Sequence, residues 1–219
     1  MEQNKQRIVV KVGTSTLTHN SGALDLWSME HLVRTLADLQ GMGHEVILVS
    51  SGAIAVGTAK LGLSERPKEL RMKQAAAAVG QCRMMHIYDK FFSEYNRSMA
   101  QILLTGDDVE DPERAEHLSN TFSALLEMGV IPVVNENDSV SSAEIETGRH
   151  KVLGDNDTLS AIVAELCRAD LLVLLSDIDG LYDADPKTHP EAKLLHQVTE
   201  LTPEILEMAG GTGSWRGTG

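Results

Sequence analysis

Short apolar runs, rich in β-branched residues, alternate along this chain with longer segments of helical periodicity. The runs lie near residues 7–12, 45–50, 100–105, 130–134 and 171–175. Such alternation is typical of βα units, in which each crossover helix packs on a mostly parallel sheet. The pattern therefore predicts an α/β fold with an open, mostly parallel sheet.

The segments between the predicted strands place apolar residues on one face of a helix. The first such pattern runs from Met29 to Leu39 and stops at Gly41, a residue type that often follows the last turn of a helix. Residues 113–128, which precede Gly129, and residues 157–168 repeat the pattern. Each of these segments is predicted to be an amphipathic helix that packs on the sheet.

The longest helical pattern, residues 68–95, has more apolar surface than one face of a sheet requires. Two interpretations have equal weight. The segment is either a long core helix or a helix whose outer face forms a homodimer interface. By contrast, residues 139–152 are polar with weak alternation, which predicts an exposed hairpin or loop.

Composition limits the classes of partner. The chain has 219 residues, of which 42% are hydrophobic, enough for one sizeable α/β domain. Its formal net charge of −13 argues against nucleic acid or an anionic membrane as a partner, because the average field repels phosphate groups. No apolar stretch approaches the roughly 18 residues of a membrane span, and no signal-peptide pattern precedes the first strand.

The two cysteines, Cys82 and Cys167, match neither a disulfide framework nor a metal-ligand spacing. Both lie in segments with helical periodicity, where a free cysteine usually acts as a small buried hydrophobe. Free thiols of this kind are typical of a reducing compartment, so we expect a cytoplasmic protein.

Small, polar or acidic residues follow every predicted strand. The five segments read KVGTST, SSGAIAVG, TGDD, NENDS and SDIDGLY. In open parallel sheets the ligand binds beyond the carboxyl ends of the strands, so these segments are expected to converge on one candidate site. Lys11 stands inside the first strand, and a buried ammonium needs an anionic partner. The alternative is an edge-strand lysine that extends to solvent.

The segment GDNDTLSA, residues 154–161, places Asp155, Asn156 and Asp157 directly before a helical pattern. One of them suffices to cap the helix. The others are then available to organise lysines, to bind Mg²⁺ through water or to hold an ammonium group. The sequence contains neither a Walker A loop nor a dinucleotide-binding fingerprint, and it has no zinc-protease or hydrolase motif.

The order of the motifs carries more information than any one of them. VVKVGTSTLT, VILVSSGAIAVG, PVVNENDSV, GDNDTLSAIVA, LLLSDIDGLYDADP and GTGSWRGTG follow one another over essentially the whole chain. This series resembles the amino acid kinase family, and among its members those that phosphorylate glutamate. The resemblance implies an αβα sandwich that uses ATP and Mg²⁺ to phosphorylate the γ-carboxylate of L-glutamate, the first step of proline biosynthesis. It also implies a homodimer or homotetramer and feedback inhibition by proline.

Matching the motifs residue by residue implies roles for individual side chains. Lys11 would contact the transferring phosphoryl group, and Asp157 would organise the catalytic lysines. The implied substrate-binding residues are Thr14, Ser51, Gly52, Ala53, Asn135, Asp138, Asp155 and Asn156. The implied ATP-binding residues are Lys11, Gly13, Ser176, Asp177, Gly217, Thr218 and Gly219. No residue is assigned as a direct ligand of the metal.

In the family, the terminal GTG motif continues into a Gly-Met segment and a second lysine, and many members carry a further PUA domain. This sequence ends at Gly219. We therefore expect residues 1–219 to form an amino acid kinase domain truncated at its C-terminal end, which binds glutamate with weak or no kinase activity. Two alternatives stay open: a non-catalytic amino acid or nucleotide binding module of the same fold, or a kinase acting on another carboxylate.

Overall fold

Five parallel strands form the central sheet. They are β1 (Arg7–Val12), β2 (Glu45–Ser50), β3 (Met99–Leu104), β4 (Ile131–Glu136) and β5 (Leu171–Leu175). Their order across the sheet is β3-β4-β2-β1-β5, and every paired neighbour is parallel. The computed structural model describes residues 5–141 and 156–209. The predicted strands are confirmed, with bounds that differ by at most two residues.

Helices cover both faces of the sheet. They are α1 (Thr14–Leu17), α2 (Leu26–Gly41), α3 (Ala53–Lys60), α4 (Leu70–Glu94), α5 (Gly106–Glu110), α6 (Pro112–Glu127) and α7 (Asn156–Leu166). Because strand side chains alternate between the faces, Val10 and Val12 pack with α2 and α4, whereas Val9 packs with α6 and α7. The predicted αβα sandwich is therefore confirmed.

The end of α2 differs from the prediction. Gly41 is still helical, and Gly43 adopts the left-handed conformation with φ 97°. The N–H of Gly43 donates to the carbonyl of Gln40, and that of His44 donates to Leu39. This pair of bonds is a Schellman motif, which needs its glycine one residue beyond the cap and not inside the last turn.

Helices α3 and α4 approach each other at two glycines. A Cβ at Gly57 would lie 1.7 Å from the carbonyl oxygen of Ala76, and one at Gly80 would lie 1.8 Å from that of Ala53. No side chain fits at either position, so the two backbones are in direct contact. The buried stripe of α4 extends from Ala76 to Phe92, which agrees with the core-helix interpretation for this face.

The cysteine prediction is half wrong. Cys167 is buried, and desolvation raises the pKa of its thiol to about 12. Cys82 is exposed, because it lies outside the buried stripe of α4. Helical periodicity identified the helix but did not show which face carries this cysteine.

The described residues from Ser176 to Ala209 belong to a second compact unit. Within it, Tyr182 pairs with Leu194 in an antiparallel bridge, and a turn at Asp185 precedes helix α8 (Pro203–Ala209). Asp155 and most of the predicted loop at 139–152 lie outside the described residues, as do Gly217, Thr218 and Gly219. Among the helices that the structure describes, none is long and apolar enough to cross a membrane.

Candidate active site

An ion pair with a buried lysine joins β1 to α7. Lys11 Nζ lies 2.7 Å from Asp157 Oδ1, and the lysine side chain is 8% exposed whereas the aspartate side chain is 55% exposed. Lys11 has the same parity as Val9 along β1, so it faces the α7 side of the sheet. Asp157 stands in the first turn of α7, where the helix dipole favours a negative charge. The strand lysine therefore meets an anionic partner that is itself open to solvent.

The loops after β1 and β2 touch each other beside this pair. Ser51 Oγ donates to the carbonyl of Val12 over 2.8 Å. Gly52 has φ 102°, and a Cβ there would lie 3.4 Å from Thr14 Cγ2. A glycine is required at this position because a β-carbon would strain the left-handed backbone as well as press on Thr14. The turn after β2 can then lead directly into α3.

Gly13 sets the surroundings of the ammonium. Its backbone, with φ −80°, is one that any residue can adopt. A Cβ at this position would lie 3.7 Å from Lys11 Nζ, so a longer side chain would cover the ammonium. The absence of a side chain thus leaves Lys11 Nζ approachable from the turn.

Side-chain amides connect the ends of β2 and β4 to α7. Asn156 Nδ2 donates to the carbonyl of Ser50 over 2.9 Å and to Asn135 Oδ1 over 3.4 Å. Asn135 is 2% exposed, and its Nδ2 donates to Gln81 Oε1 on α4 over 2.9 Å. Residues from four separate elements are thereby joined at the carboxyl ends of the strands.

A cavity of about 400 Å³ opens between α4, β3 and the turn after β4. Ala53 and Asp138, both implied by the motifs, line it. Gln81, Cys82, Gln101 and Glu136 also line it. Carboxylates and amides at one end of a small cavity suit a ligand that carries an ammonium group and hydrogen-bond acceptors.

The remaining described residues of the implied ATP site, Ser176 and Asp177, belong to the second unit. Within that unit, Lys187 Nζ lies 3.4 Å from Asp177 Oδ2. The hydrogen bond from Lys187 lowers the pKa of the Asp177 carboxyl below its ordinary value.

Comparison with protein-family models identifies the family. The model of the amino acid kinase family matches residues 6–215. The chain belongs to the amino acid kinase family.

Relatives within this family share more than half of their aligned residues with the chain. A glutamate 5-kinase from Clostridium perfringens is 55% identical over 217 residues, which are 99% of this chain and 80% of that protein. A glutamate 5-kinase from Carboxydothermus hydrogenoformans is 56% identical over 218 residues, and the chain covers 57% of its length.

Solved structures agree with the fold of an amino acid kinase. UMP kinase from Ureaplasma parvum superposes with a TM-score of 0.58 at 14% identity, over 95% of this chain and 86% of that one. Isopentenyl phosphate kinase from T. acidophilum, in its product complex, also gives 0.58, at 18% identity over 88% and 79% of the two chains. At these identities the likeness concerns the fold alone.

Sequence reasoning missed three polar residues that lie in or behind the candidate site: Ser50, Gln81 and Tyr88. The Ser50 Oγ and Tyr88 hydroxyl lie 2.9 Å apart in the core, and burial raises the pKa of the tyrosine. Gln81 and Tyr88 are seven residues apart on the stripe of α4 that is otherwise apolar. A polar residue at helical spacing within such a stripe was the signal that could have revealed Gln81 and Tyr88.

Within residues 5–141 and 156–209, no group of three or more His, Cys, Asp or Glu side chains is arranged to hold a metal ion. Magnesium in kinase sites is commonly held by only one or two carboxylates together with substrate phosphates. Asp157, half exposed beside the ammonium of Lys11, is of the chemical type that such an ion requires.

Proposed function

We propose that this amino acid kinase transfers the γ-phosphoryl group of ATP to the γ-carboxylate of L-glutamate, giving L-glutamyl 5-phosphate. The observation that carries the proposal is the buried Lys11 ammonium, paired with Asp157 at the carboxyl ends of the strands. The choice of glutamate is supported by relatives that are named glutamate 5-kinase and are 51–56% identical to the chain.

The reaction joins two anions on a protein whose net charge is −13. Phosphoryl transfer requires in-line positioning and positive charge near the equatorial oxygens, with little covalent participation by the protein. Lys11 supplies that charge, and its burial strengthens the interaction because water is excluded around the ammonium. Asp157 fixes the ammonium in place through its 2.7 Å contact.

The attacking group needs no general base. A glutamate side-chain carboxylate has an ordinary pKa near 4.3 and is already ionised at neutral pH. The γ-carboxylate oxygen forms a bond to phosphorus while the bond between the γ-phosphorus and the bridging oxygen of ATP breaks, and ADP leaves. The protein must therefore orient the carboxylate and must not move a proton.

Recognition of the amino acid falls to the amide and acid side chains. The cavity beside α4 is large enough for a small amino acid. Asp138 and Glu136 line it and can pair with the α-ammonium group, and the Ser51, Asn135 and Asn156 group lies at the adjacent strand ends. Asp155 joins this set on the basis of its motif.

When bound, Mg²⁺ neutralises phosphate charge, and Asp157 is the described carboxylate suited to hold it directly or through water. Gly13 leaves room for phosphate oxygens near Lys11. The ATP-binding roles of Ser176, Asp177, Gly217, Thr218 and Gly219 rest on their motifs, as do inhibition by proline and assembly into a homodimer or homotetramer.

Two measurements on the 219-residue chain test the proposal. Isothermal titration with glutamate, aspartate and N-acetylglutamate should give the tightest binding for glutamate. Trapping with hydroxylamine in the presence of ATP and Mg²⁺ over an extended incubation should give a small amount of the hydroxamate of glutamate, in keeping with the weak activity expected from the sequence. Preferred binding of aspartate or acetylglutamate would indicate a kinase for another carboxylate. Glutamate binding with equal product formation by wild type and Lys11→Ala would contradict the role given to Lys11.

A further inference from the structure

The amide group of Gln81 is fixed in one orientation by a directional series of hydrogen bonds. The backbone N–H of Glu136 donates to Asn135 Oδ1 over 2.9 Å, and a backbone N–H can only donate. Asn135 must therefore turn its Nδ2 toward Gln81, and Gln81 must meet it with the carbonyl oxygen Oε1. Gln81 Nε2 consequently points away from this bond.

This orientation leaves a buried donor without a partner. Gln81 is 8% exposed, and its Nε2 has no hydrogen-bond partner among the described residues. An unsatisfied buried donor destabilises a fold, so an apolar residue of the same length would suit the core of α4 at least as well. The glutamine is better explained by what its oxygen does for Asn135.

Asn135 in turn fixes Asn156. The Oδ1 atom of Asn135 lies 3.4 Å from Asn156 Nδ2, and Asn156 is followed by Asp157, the partner of Lys11. Without Gln81, the Nδ2 group of a residue that is 2% exposed would lose its acceptor. The side chain of Asn135 could then rotate, and its contact with Asn156 would be lost.

We infer that Gln81 is a positioning residue for the amino acid substrate, acting through Asn135 on the amide of Asn156. The inference rests on the proposed function, because it assigns the two asparagines to substrate binding. Gln81 also lines the cavity beside α4 and stands on a helix held against α3 by the contact at Gly80. The rigid helix pair thus supplies a fixed acceptor for the strand-end amides.

The test is glutamate affinity in Gln81→Met, measured by titration calorimetry on the 219-residue chain. The substitution keeps the length of the side chain and removes both polar atoms. The Kd for glutamate should rise about tenfold, equal to about 1.4 kcal/mol, while the Kd for a non-hydrolysable ATP analogue stays unchanged. The Tm should stay within about 2 °C of wild type, because the unpaired donor of Gln81 is removed while Asn135 Nδ2 becomes unpaired, so the number of unsatisfied buried donors does not change.

Gln40→Met is the matched control. Gln40 likewise has one bonded amide atom and one buried atom without a partner, since its Nε2 donates to the carbonyl of Gly129 and its Oε1 has no partner among the described residues. It lies near the opposite ends of the strands, so its replacement should leave glutamate affinity unchanged.

A double-mutant cycle shows whether Gln81 acts through Asn135. If it does, Gln81→Met combined with Asn135→Leu binds glutamate no more weakly than Asn135→Leu by itself. Additive losses would overturn this route. A Gln81→Met protein with wild-type glutamate affinity, or one with a lower Tm and unchanged affinity, would overturn the inference.

If Gln81→Met fails to fold, Gln81→Asn decides, since it keeps an amide that is too short to reach Asn135. Wild-type affinity in that variant would overturn the inference, and a tenfold loss would support it. Failure of the wild-type chain to bind glutamate would instead overturn the proposed function and, with it, this assignment. The two kinds of failure are therefore distinguishable in one set of titrations.

Discussion

Arg7 and Lys11 stand near opposite ends of β1, and the two ends of the sheet use their cations differently. Arg7 Nε donates to Glu45 Oε2 over 2.7 Å, its Nη1 donates to the carbonyl of Cys167, and its backbone N–H donates to Asp170. These contacts hold the amino end of β1 to its neighbours in the fold. Lys11 instead pairs with Asp157, whose carboxylate is half exposed.

The difference shows how one strand can serve both stability and chemistry. At the amino ends, burial opposes ionisation of Glu45, yet hydrogen bonds from Lys5 and Arg7 hold its pKa below the ordinary value. The Glu45 carboxylate is therefore already paired with two cations of the protein itself. The carboxyl ends carry a buried cation, a cavity and an amide donor that has no partner among the described residues. Polar groups that are incompletely satisfied by the protein are the ones available to a ligand.

The largest effect is expected for Lys11→Met. Removing a positioned charge from a transition state should lower the rate of glutamyl phosphate formation by about 10²- to 10³-fold. The fold should tolerate the change, because Asp157 is exposed enough to stay hydrated without its partner. Transfer from radiolabelled ATP, measured beside a thermal melt, separates the two quantities. Retained turnover in this variant would show that Lys11, like Arg7, has only a structural role.

Gly80→Ala should destabilise the fold by forcing α3 and α4 apart. The added Cβ would lie 1.8 Å from the carbonyl oxygen of Ala53, so α3 and α4 must separate. Overpacking of this kind lowers the free energy of unfolding by about 1–3 kcal/mol, which urea titration measures. Gly13→Ala is the control, since its Cβ would make only an ordinary contact of 3.7 Å. Equal stability of the two variants would show that the helix contact is not rigid.

Arg7→Met should lower stability at the amino ends of the strands without affecting the candidate site. Loss of a partly exposed ion pair lowers the free energy of unfolding by about 1 kcal/mol or less. Glutamate affinity should not change, because the substitution leaves the carboxyl ends of the strands intact. A weakened affinity per folded molecule would mean that the two ends are coupled through β1.

The smallest effect concerns Asp25, which caps α2. Hydrogen bonds from the backbone and hydroxyl of Ser28 lower the pKa of Asp25 below its ordinary value of 3.8. Its stabilising effect is complete above that value and is lost as the pH falls through the lower pKa of the folded state. The Tm difference between wild type and Asp25→Ala should therefore be largest near neutral pH and shrink below pH 3.8. A constant difference would show that the cap does not depend on charge.

Much of the fold could be predicted because parallel strands buried on both faces are nearly continuous apolar runs. The signal for β1 and β2 is of this kind, and both were predicted with their observed bounds. The C-terminal end of α2 was harder to predict, since Gly41 and Gly43 are both compatible with a helix end and only backbone geometry distinguishes them. The exposure of Cys82 depends on the rotation of α4, which its apolar residues fix only approximately.

The candidate site was predictable where its residues lie within recognisable motifs. Lys11 was expected to face the candidate site because it stands near the carboxyl end of a strand, and the family resemblance implied that Asp157 organises it; the structure places the two 2.7 Å apart. Their roles stay predictions. Gln81 could not be found in the same way, because it stands on a helix and not in a segment that follows a strand, so its contact with Asn135 depends on the rotation of α4.

The strand order has a consequence for synthesis on the ribosome. Strands β2 and β3 are consecutive in the chain, yet each pairs with β4, which is made later and inserts between them. A nascent chain that has reached β3 can pair β1 with β2 but must leave the far edge of β2 open until residues 131–136 emerge. Translation speed over the segment from β3 to β4 therefore sets how long an unpaired apolar edge is offered to other nascent chains or to chaperones.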